Sequence, residues 1–433
     1  MANSVIETKY PLSFRRKDAE KMGEHLKLCH SVEIVGLKRV GISDFLRFFL
    51  YHKGIVKKYL GGDKRHLFIV CDLNDLVERE LYPFWILTFK RLVDAVDDIK
   101  IDQSIKKGIN SLFLEAIQTQ DLFLACEYLR EALVKVVEAG FSPAIFYIRF
   151  DRLIEAVDSQ FFANLEGLVD ACNQKLSYVF TSFRQVDDIL KGKIDRNFLH
   201  VFSNVLWIKP ASRKDTEIIF NAFKKRYKLK VKKDIEKKLI TFSGGHVQYL
   251  HLLILILVQK VGENSQLEPE DLIWEDERIR LQSEEIWESL NDLEKEAVLG
   301  IHKGKGVAKD QKHLTKYLWE SGLVSGSNGK SEVFGALFDN FLKFKAGEKE
   351  EVEVVDFTKK EKMLYDLLFA NLEKVCEREK IIEAVWPESE ELGVSDWTID
   401  RLAARLREKL KKQKSEFSLI TIKTRGFKLA KNP

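Results

Sequence analysis

The sequence predicts an α/β protein: a parallel sheet covered on both faces, a helical segment after it, and two small units that set helices before a β-hairpin. Three observations predict this. Short continuous apolar runs at Ser31–Val35, His66–Cys71, Ala144–Phe150 and Leu176–Thr181 alternate with long helical patterns such as Ser111–Ala139. Strands buried on both faces read as unbroken apolar runs, and helical crossovers between them make a sheet parallel. From about Ala211 the chain turns to helical patterns, and an order of helices followed by a hairpin then occurs twice.

The length of 433 residues suggests about three domains at roughly 150 residues each. The chain carries 71 basic and 67 acidic side chains, so its net charge of +4 names no partner and the local distribution of charge must be read instead. Cys29, Cys71, Cys126, Cys172 and Cys376 are scattered and never form a CxxC pair, which argues for a reducing compartment and against a disulfide frame or structural zinc. The nine histidines form no metal-ligand spacing, and no nucleophile elbow G-x-S-x-G occurs. The N-terminal residues lack the apolar stretch of a signal peptide. The most apolar run, Tyr249–Val258, is too short to span a bilayer and contains His251, so it reads as a buried helix. These features predict a cytoplasmic protein with no membrane partner.

The first strand leads through Glu33-Ile34-Val35-Gly36-Leu37-Lys38-Arg39-Val40-Gly41-Ile42-Ser43 into a helix. This matches the phosphate-binding pattern G-x4-G-K-[ST] at every position but the lysine, where Ile42 stands. Backbone amides at the helix start could cradle phosphate, Ser43 could hold magnesium, and Lys38 or Arg39 could partly replace the missing charge. After about Ala211, Arg213–Tyr227 and Lys232–Thr241 read as helices, and Ser243-Gly244-Gly245 breaks the chain before the apolar helix. The basic run Lys224, Lys225, Arg226, Lys228, Lys230, Lys232 and Lys233 reads as a solvated helix face or a second phosphate-contacting surface. Leu293–Ile301 and His313–Ser321 are amphipathic, Gly322 supplies a left-handed cap, and Asn328-Gly329 before Ser331–Phe334 signals a hairpin. Residues 346–356 are acidic without a helical stripe and read as a linker.

In the last segment, Thr358 and Glu361 form a capping-box pair at the start of a helix. A second helix spans Arg378–Val385 and stops at Trp386-Pro387. A third begins near Ser395 and reaches about Lys412, with Ile399, Leu402, Ala403, Leu406 and Leu410 on its core face. Trp397, Arg401, Ala404, Arg405 and Glu408 fall on the other face. Leu419–Leu429 reads as a hairpin with Lys423 and Arg425 near its tip, a basic wing.

This segment resembles the OmpR/PhoB-type winged helix of bacterial response regulators, over about its last 75 residues. The resemblance rests on Val385-Trp386, on Val394-Ser395-Asp396-Trp397-Thr398-Ile399-Asp400, on Arg405-Leu406-Arg407-Glu408-Lys409-Leu410 and on Thr421-Ile422-Lys423-Thr424-Arg425-Gly426-Phe427-Lys428-Leu429. It implies double-stranded DNA as partner, read by Trp397, Thr398, Arg401 and Arg405, with Arg407, Lys409, Thr421, Lys423 and Arg425 completing the contact set. Leu402 and Ala404 depart from the polar residues common in the family, and Thr424 replaces a wing glycine. The first strands do not end in the acidic pair of a phospho-acceptor receiver domain, so no such domain is expected among these residues.

The N-terminal sheet resembles the P-loop core of AAA+ and STAND ATPases. The resemblance implies a nucleotide site, ATP or another nucleotide with magnesium, built from Gly36, Lys38, Arg39, Gly41, Ser43 and Asp151. It departs at Ile42 and at the end of the third strand, where Tyr147-Ile148-Arg149-Phe150-Asp151-Arg152 replaces an acidic pair. Either Asp151 is the remaining acid or Ile148 and Arg149 occupy the acidic positions. Thr181-Ser182-Phe183-Arg184 fits the polar sensor, and Ser243-Gly244-Gly245-His246 fits the start of the lid.

The expected architecture is therefore a degenerate P-loop-type parallel sheet core (1–205) with a helical lid (206–282), followed by two winged-helix domains (283–345 and 357–433) joined by the linker 346–356. The expected function is sequence-specific DNA-binding transcriptional regulation with a STAND-like sensing or scaffold region. RNA polymerase is a candidate partner and oligomerisation is open. The alternatives are a signalling NTPase or nucleotide-binding switch, and a protein-interaction scaffold.

Overall fold

The computed structural model describes residues 5–61, 65–190, 203–261, 276–305, 313–327, 330–347, 357–387, 394–412, 415–422 and 425–431. They fall into two compact units: residues 1–273 with 291–339, and residues 274–290 with 340–433.

The first unit is built on five strands: β1 (Val32–Val35), β2 (Arg65–Asp72), β3 (Phe141–Ile148), β4 (Ser177–Ser182) and β5 (Val205–Trp207). Their spatial order is β2-β3-β4-β1-β5, and every neighbouring pair is parallel. All four residues of β1 and all six of β4 are buried, including Glu33 in β1 and Ser177, Thr181 and Ser182 in β4. β5 was not among the expected strands. Its three residues are too few to show a period, and it is held by β1, with Glu33 opposite Val205.

The expected stretch Ser111–Ala139 is two helices, Gln103–Thr119 and Leu122–Glu138. Gln120 takes a left-handed backbone between them, and the Asp121 side chain accepts the Leu124 N–H to start the second. The apolar stripe runs through both and masks the break. On one side of the sheet the core gathers Phe84, Trp85, Phe89, Tyr147, Phe150, Phe161, Tyr178 and Phe180.

The helix Val247–Val261 is buried along most of its length, and the His251 ring stacks on Phe223 at 4.4 Å. No helix among the described residues is long and apolar enough to cross a membrane. Its entry depends on Gly245 (φ +80°), where a Cβ would lie 2.1 Å from the Ala211 carbonyl oxygen. The strands β6 (Val324–Ser327) and β7 (Lys330–Val333) pair antiparallel. The Asn328-Gly329 turn expected between them lies outside the described residues.

The second unit contains the helices Glu277–Glu288, Lys359–Ala370, Arg378–Val385 and Asp396–Lys412, and the strands β8 (Cys376–Glu377), β9 (Phe417–Ile422) and β10 (Gly426–Lys431). The sheet order is β8-β10-β9, both pairs antiparallel. Helices followed by a β9–β10 hairpin make the winged helix, with Ile399, Leu402, Ala403, Leu406 and Leu410 buried against Leu364, Leu368, Ile381 and Trp386. A Cβ on Gly426 would sit 2.0 Å from the Cys376 carbonyl oxygen, so only glycine lets β10 close on β8. The helix Glu277–Glu288 crosses the expected boundary at 282/283 and packs as one piece with the C-terminal residues.

Candidate nucleic-acid interface

The helix Asp396–Lys412 is the expected DNA-reading element. Its start is fixed locally: the Ser395 hydroxyl lies 2.8 Å from the Thr398 hydroxyl and accepts the Thr398 N–H at 3.2 Å. Trp397 and Thr398 are both partly buried there. Arg378 ties the turn from the preceding helix, reaching the Asp396 carbonyl at 3.3 Å and pairing with Asp400. Further along, Arg407 donates to the Leu419 carbonyl at 2.9 Å and to the Thr421 hydroxyl at 2.8 Å, locking the helix to β9. Arg425 is exposed at the start of the returning strand. Lys423 lies outside the described residues.

The helix Lys359–Ala370 begins with the capping box expected from sequence. The Thr358 hydroxyl accepts the Glu361 N–H at 3.4 Å, and the Glu361 carboxylate accepts the Thr358 N–H at 2.8 Å. Glu361 is fully buried and also receives Lys409 at 2.6 Å and Arg405 at 3.3 Å. Burial pushes its pKa up, but Lys409, the Thr358 N–H and Arg405 outweigh that and hold it below the ordinary value.

Arg401 and Arg405 do not stand open on the helix, as the sequence suggested. Arg405 keeps only 11% of its side chain exposed and contacts three carboxylates: Glu277, Glu284 at 3.7 Å and Glu361 at 3.3 Å. Arg401 reaches Glu284 at 3.3 Å and Glu288 at 3.8 Å. Glu277, Glu284 and Glu288 come from a helix more than a hundred residues earlier, and nothing in local periodicity could have placed them here. Their spacing of i, i+7 and i+11 does put all three on one stripe, a readable signal that the sequence reading passed over.

The second expected site is the loop after β1. Gly36 lies against the residue that follows β5, where a Cβ would meet the Ile208 carbonyl oxygen at 2.6 Å. Gly41 has φ +115°, and a Cβ there would meet Val247 Cγ2 at 2.5 Å. The His246 ring lies 3.0 Å from the Lys38 carbonyl oxygen. Burial lowers the pKa of His246 to about 3, so the ring is neutral and donates that bond through Nε2. The Lys38 ammonium sits 4.7 Å from the centre of the Phe183 ring. The first residues of the helix Val247–Val261 and the residue before it therefore press directly on the loop.

At the end of β3, Ile148 is the last strand residue, in register with Asp72, so Arg149 and Phe150 follow directly. Arg149 pairs with Asp72, and its N–H donates to the Thr181 hydroxyl at 2.8 Å. Asp151 sits in the short turn Phe150–Arg152. Burial raises its pKa, with Lys38 as the largest opposing charge. Ser43 is partly buried at the helix start, and Arg39 has a left-handed backbone (φ +61°). Arg184 pairs with Glu294 and lies 4.1 Å from the centre of the Tyr317 ring. The residues present do not fit a hydrolysing magnesium–nucleotide site. Ile42 brings no cation, Arg149 puts a positive charge beside the strand end, and Asp72 is already neutralised.

Residues 351–429 match the family model described as transcriptional regulatory protein, C terminal. No curated protein matches the chain significantly. Among solved structures, the Walker-type ATPase of Pyrococcus abyssi is 14% identical, covering 76% of this chain and 95% of its own, with a TM-score of 0.46. The ORC2 protein of Aeropyrum pernix is 13% identical, with 80% and 98% covered and a TM-score of 0.41. Cdc6p of Pyrobaculum aerophilum is 12% identical, with 80% and 99% covered and a TM-score of 0.39. The C-terminal segment is thus an OmpR/PhoB-type winged helix of the kind that ends transcriptional regulatory proteins.

Proposed function

We propose that the chain is a sequence-specific transcriptional regulator that reads double-stranded DNA through the helix Asp396–Lys412. The observation that carries this reading is the family match over residues 351–429, supported by the ordered helix–helix–helix–hairpin of the same segment. Docked in the major groove, Trp397, Thr398, Arg401 and Arg405 would meet base edges. Arg407, Lys409, Thr421, Lys423 and Arg425 would supply phosphate contacts and the salt dependence that follows from them.

The N-terminal region acts in this proposal as a STAND-like sensing or scaffold region, joined to the C-terminal winged helix through the linker 346–356. The close packing of Val247 on Gly41 and the absent lysine favour that role over a signalling NTPase. RNA polymerase is a candidate partner once DNA is bound, the cytoplasm is the expected place, and oligomerisation is compatible with contact to paired half-sites.

The test is selection of binding sites from a random duplex pool by the full chain, followed by anisotropy titration at several salt concentrations. The expected outcome is one enriched motif and an affinity that falls steeply with salt. On that motif, Arg401→Ala should cost roughly 1–3 kcal/mol. If Arg401→Ala and Arg405→Ala both bind the motif as well as the parent chain, the docking is wrong.

A further inference from the structure

The face that would read DNA is covered by carboxylates of the chain itself. Along the helix Glu277–Glu288, the residues Glu277, Leu281, Glu284 and Glu288 follow i, i+4, i+7, i+11 and lie on one stripe. Along the helix Asp396–Lys412, Trp397, Arg401 and Arg405 follow i, i+4, i+8. The pairing runs antiparallel: Glu277 meets Arg405, Glu284 bridges Arg405 and Arg401, and Glu288 meets Arg401. Glu277 also accepts the Thr358 hydroxyl at 3.2 Å, and Leu281 and Glu284 are buried.

Two features separate this from an ordinary surface ion pair. The guanidinium groups engaged are the two whose donors a guanine edge or a phosphate would need, and a carboxylate meets the same donors with the same geometry. The acidic helix also lies on the helix that must enter the groove, so the two occupants exclude each other sterically as well as electrically.

We propose that the helix Glu277–Glu288 is an acidic cover that imitates the DNA phosphates and holds the regulator in a closed state. This rests on the DNA-reading role proposed above. Binding then requires the helix to leave Arg401 and Arg405, and the apparent affinity of the chain is reduced by the fraction of molecules that are open. The partner of the closed face is internal, and the partner of the open face is duplex DNA.

The experiment compares full-length variants binding a random-sequence duplex at low salt and the selected motif. Glu284→Gln alone and the triple Glu277→Gln/Glu284→Gln/Glu288→Gln remove the cover's charge. A charge-matched control, Asp366→Asn/Glu379→Gln/Glu416→Gln, changes three exposed acids of the same unit. Circular dichroism confirms that each variant is folded.

The triple variant should bind about tenfold more tightly than the parent, corresponding to a parent that is open about one-tenth of the time. Glu284→Gln should fall between the two and the control should stay near the parent. Adding Arg401→Ala and Arg405→Ala to the triple should abolish the gain. If parent, control and triple bind equally tightly and the arginine variants lose binding, DNA reading stands and the cover does not exist. An equal gain in control and triple also overturns the cover, because bulk charge then explains it. If no variant binds any duplex, the DNA reading fails, and the cover fails with it.

Discussion

The loop after β1 and the helix Asp396–Lys412 both carry the residue pattern of a binding motif, and in both other residues of the chain pack against it, but in different ways. At the loop the occupants are an uncharged histidine, a valine methyl and backbone, pressed on glycines that admit nothing larger. Ile42 stands at the lysine position of the pattern, so the loop lacks that cation. At the helix the occupants are carboxylates, and the cations they engage are intact. Apolar packing on a loop without that cation offers no charge for an anion to compete for. An ionic cover over complete donors can exchange with a polyanion, because the incoming phosphates repay the charge that the carboxylates surrender. Contact alone therefore does not distinguish fixed packing from an exchangeable cover. The chemistry of what is covered does.

The largest effects should come from the glycines that let each closure form. Gly245→Ala and Gly426→Ala each drive a Cβ into a carbonyl oxygen, at 2.1 Å and 2.0 Å. Each should cost roughly 3 kcal/mol or more. In two-transition chemical unfolding, Gly245→Ala should weaken only the unit built on β1–β5, and Gly426→Ala only the C-terminal unit. If either substitution moves both transitions equally, the two closures do not belong to separate cooperative units and the comparison collapses.

Next come the cations. Arg405→Ala leaves Glu277, Glu284 and Glu361 facing one another with one shared cation removed, and should destabilise the C-terminal unit by about 3 kcal/mol. Lys38→Ala removes an ammonium over the Phe183 ring and should cost about 0.5–1 kcal/mol. Thermal melts of the two variants compare the sites directly. A Lys38 effect as large as that of Arg405 would mean that the loop, too, is organised around its charge.

Much of this was readable in the sequence, and the failures share one physical origin. The capping box of Thr358 and Glu361, the helix Arg378–Val385 and the buried stripe from Ile399 to Leu410 follow from local spacing, and the structure has them where the spacing put them. Four strands were legible as apolar runs. β5 was not, because three residues carry no period and it is held in place by β1. The break at Gln120 was hidden by an apolar stripe that continues through it. The candidate site was legible in its residue types but not in its exposure. Arg405 looks solvated on a helical wheel, and what buries it lies far away in sequence. Motifs report which donors a chain carries, whereas tertiary contacts decide whether they are free.

A last comparison separates the units by the sign of their pH dependence. Glu33, in the middle of β1, is fully buried and accepts the Val186 N–H at 2.6 Å. Burial raises its pKa from 4.5 to about 8, so the folded chain holds a proton that the unfolded chain has released. Its contribution is complete below pH 4.5 and is lost as pH rises to about 8. Glu361 runs the other way. Its folded pKa is held below the ordinary value by Lys409, the Thr358 N–H and Arg405 despite burial, so its contribution is present above the ordinary glutamate value and is lost as pH falls through the folded one. Each slope is at most about 1.4 kcal/mol per pH unit. Scanning calorimetry across pH should show these opposite contributions in the two transitions. Glu33→Gln should make the first transition less sensitive to alkali, and Glu361→Gln should make the second less sensitive to acid. If Glu361→Gln leaves the acid sensitivity unchanged, Lys409 and Arg405 do not hold that carboxylate charged, and the ionic network beneath the cover is weaker than its geometry implies.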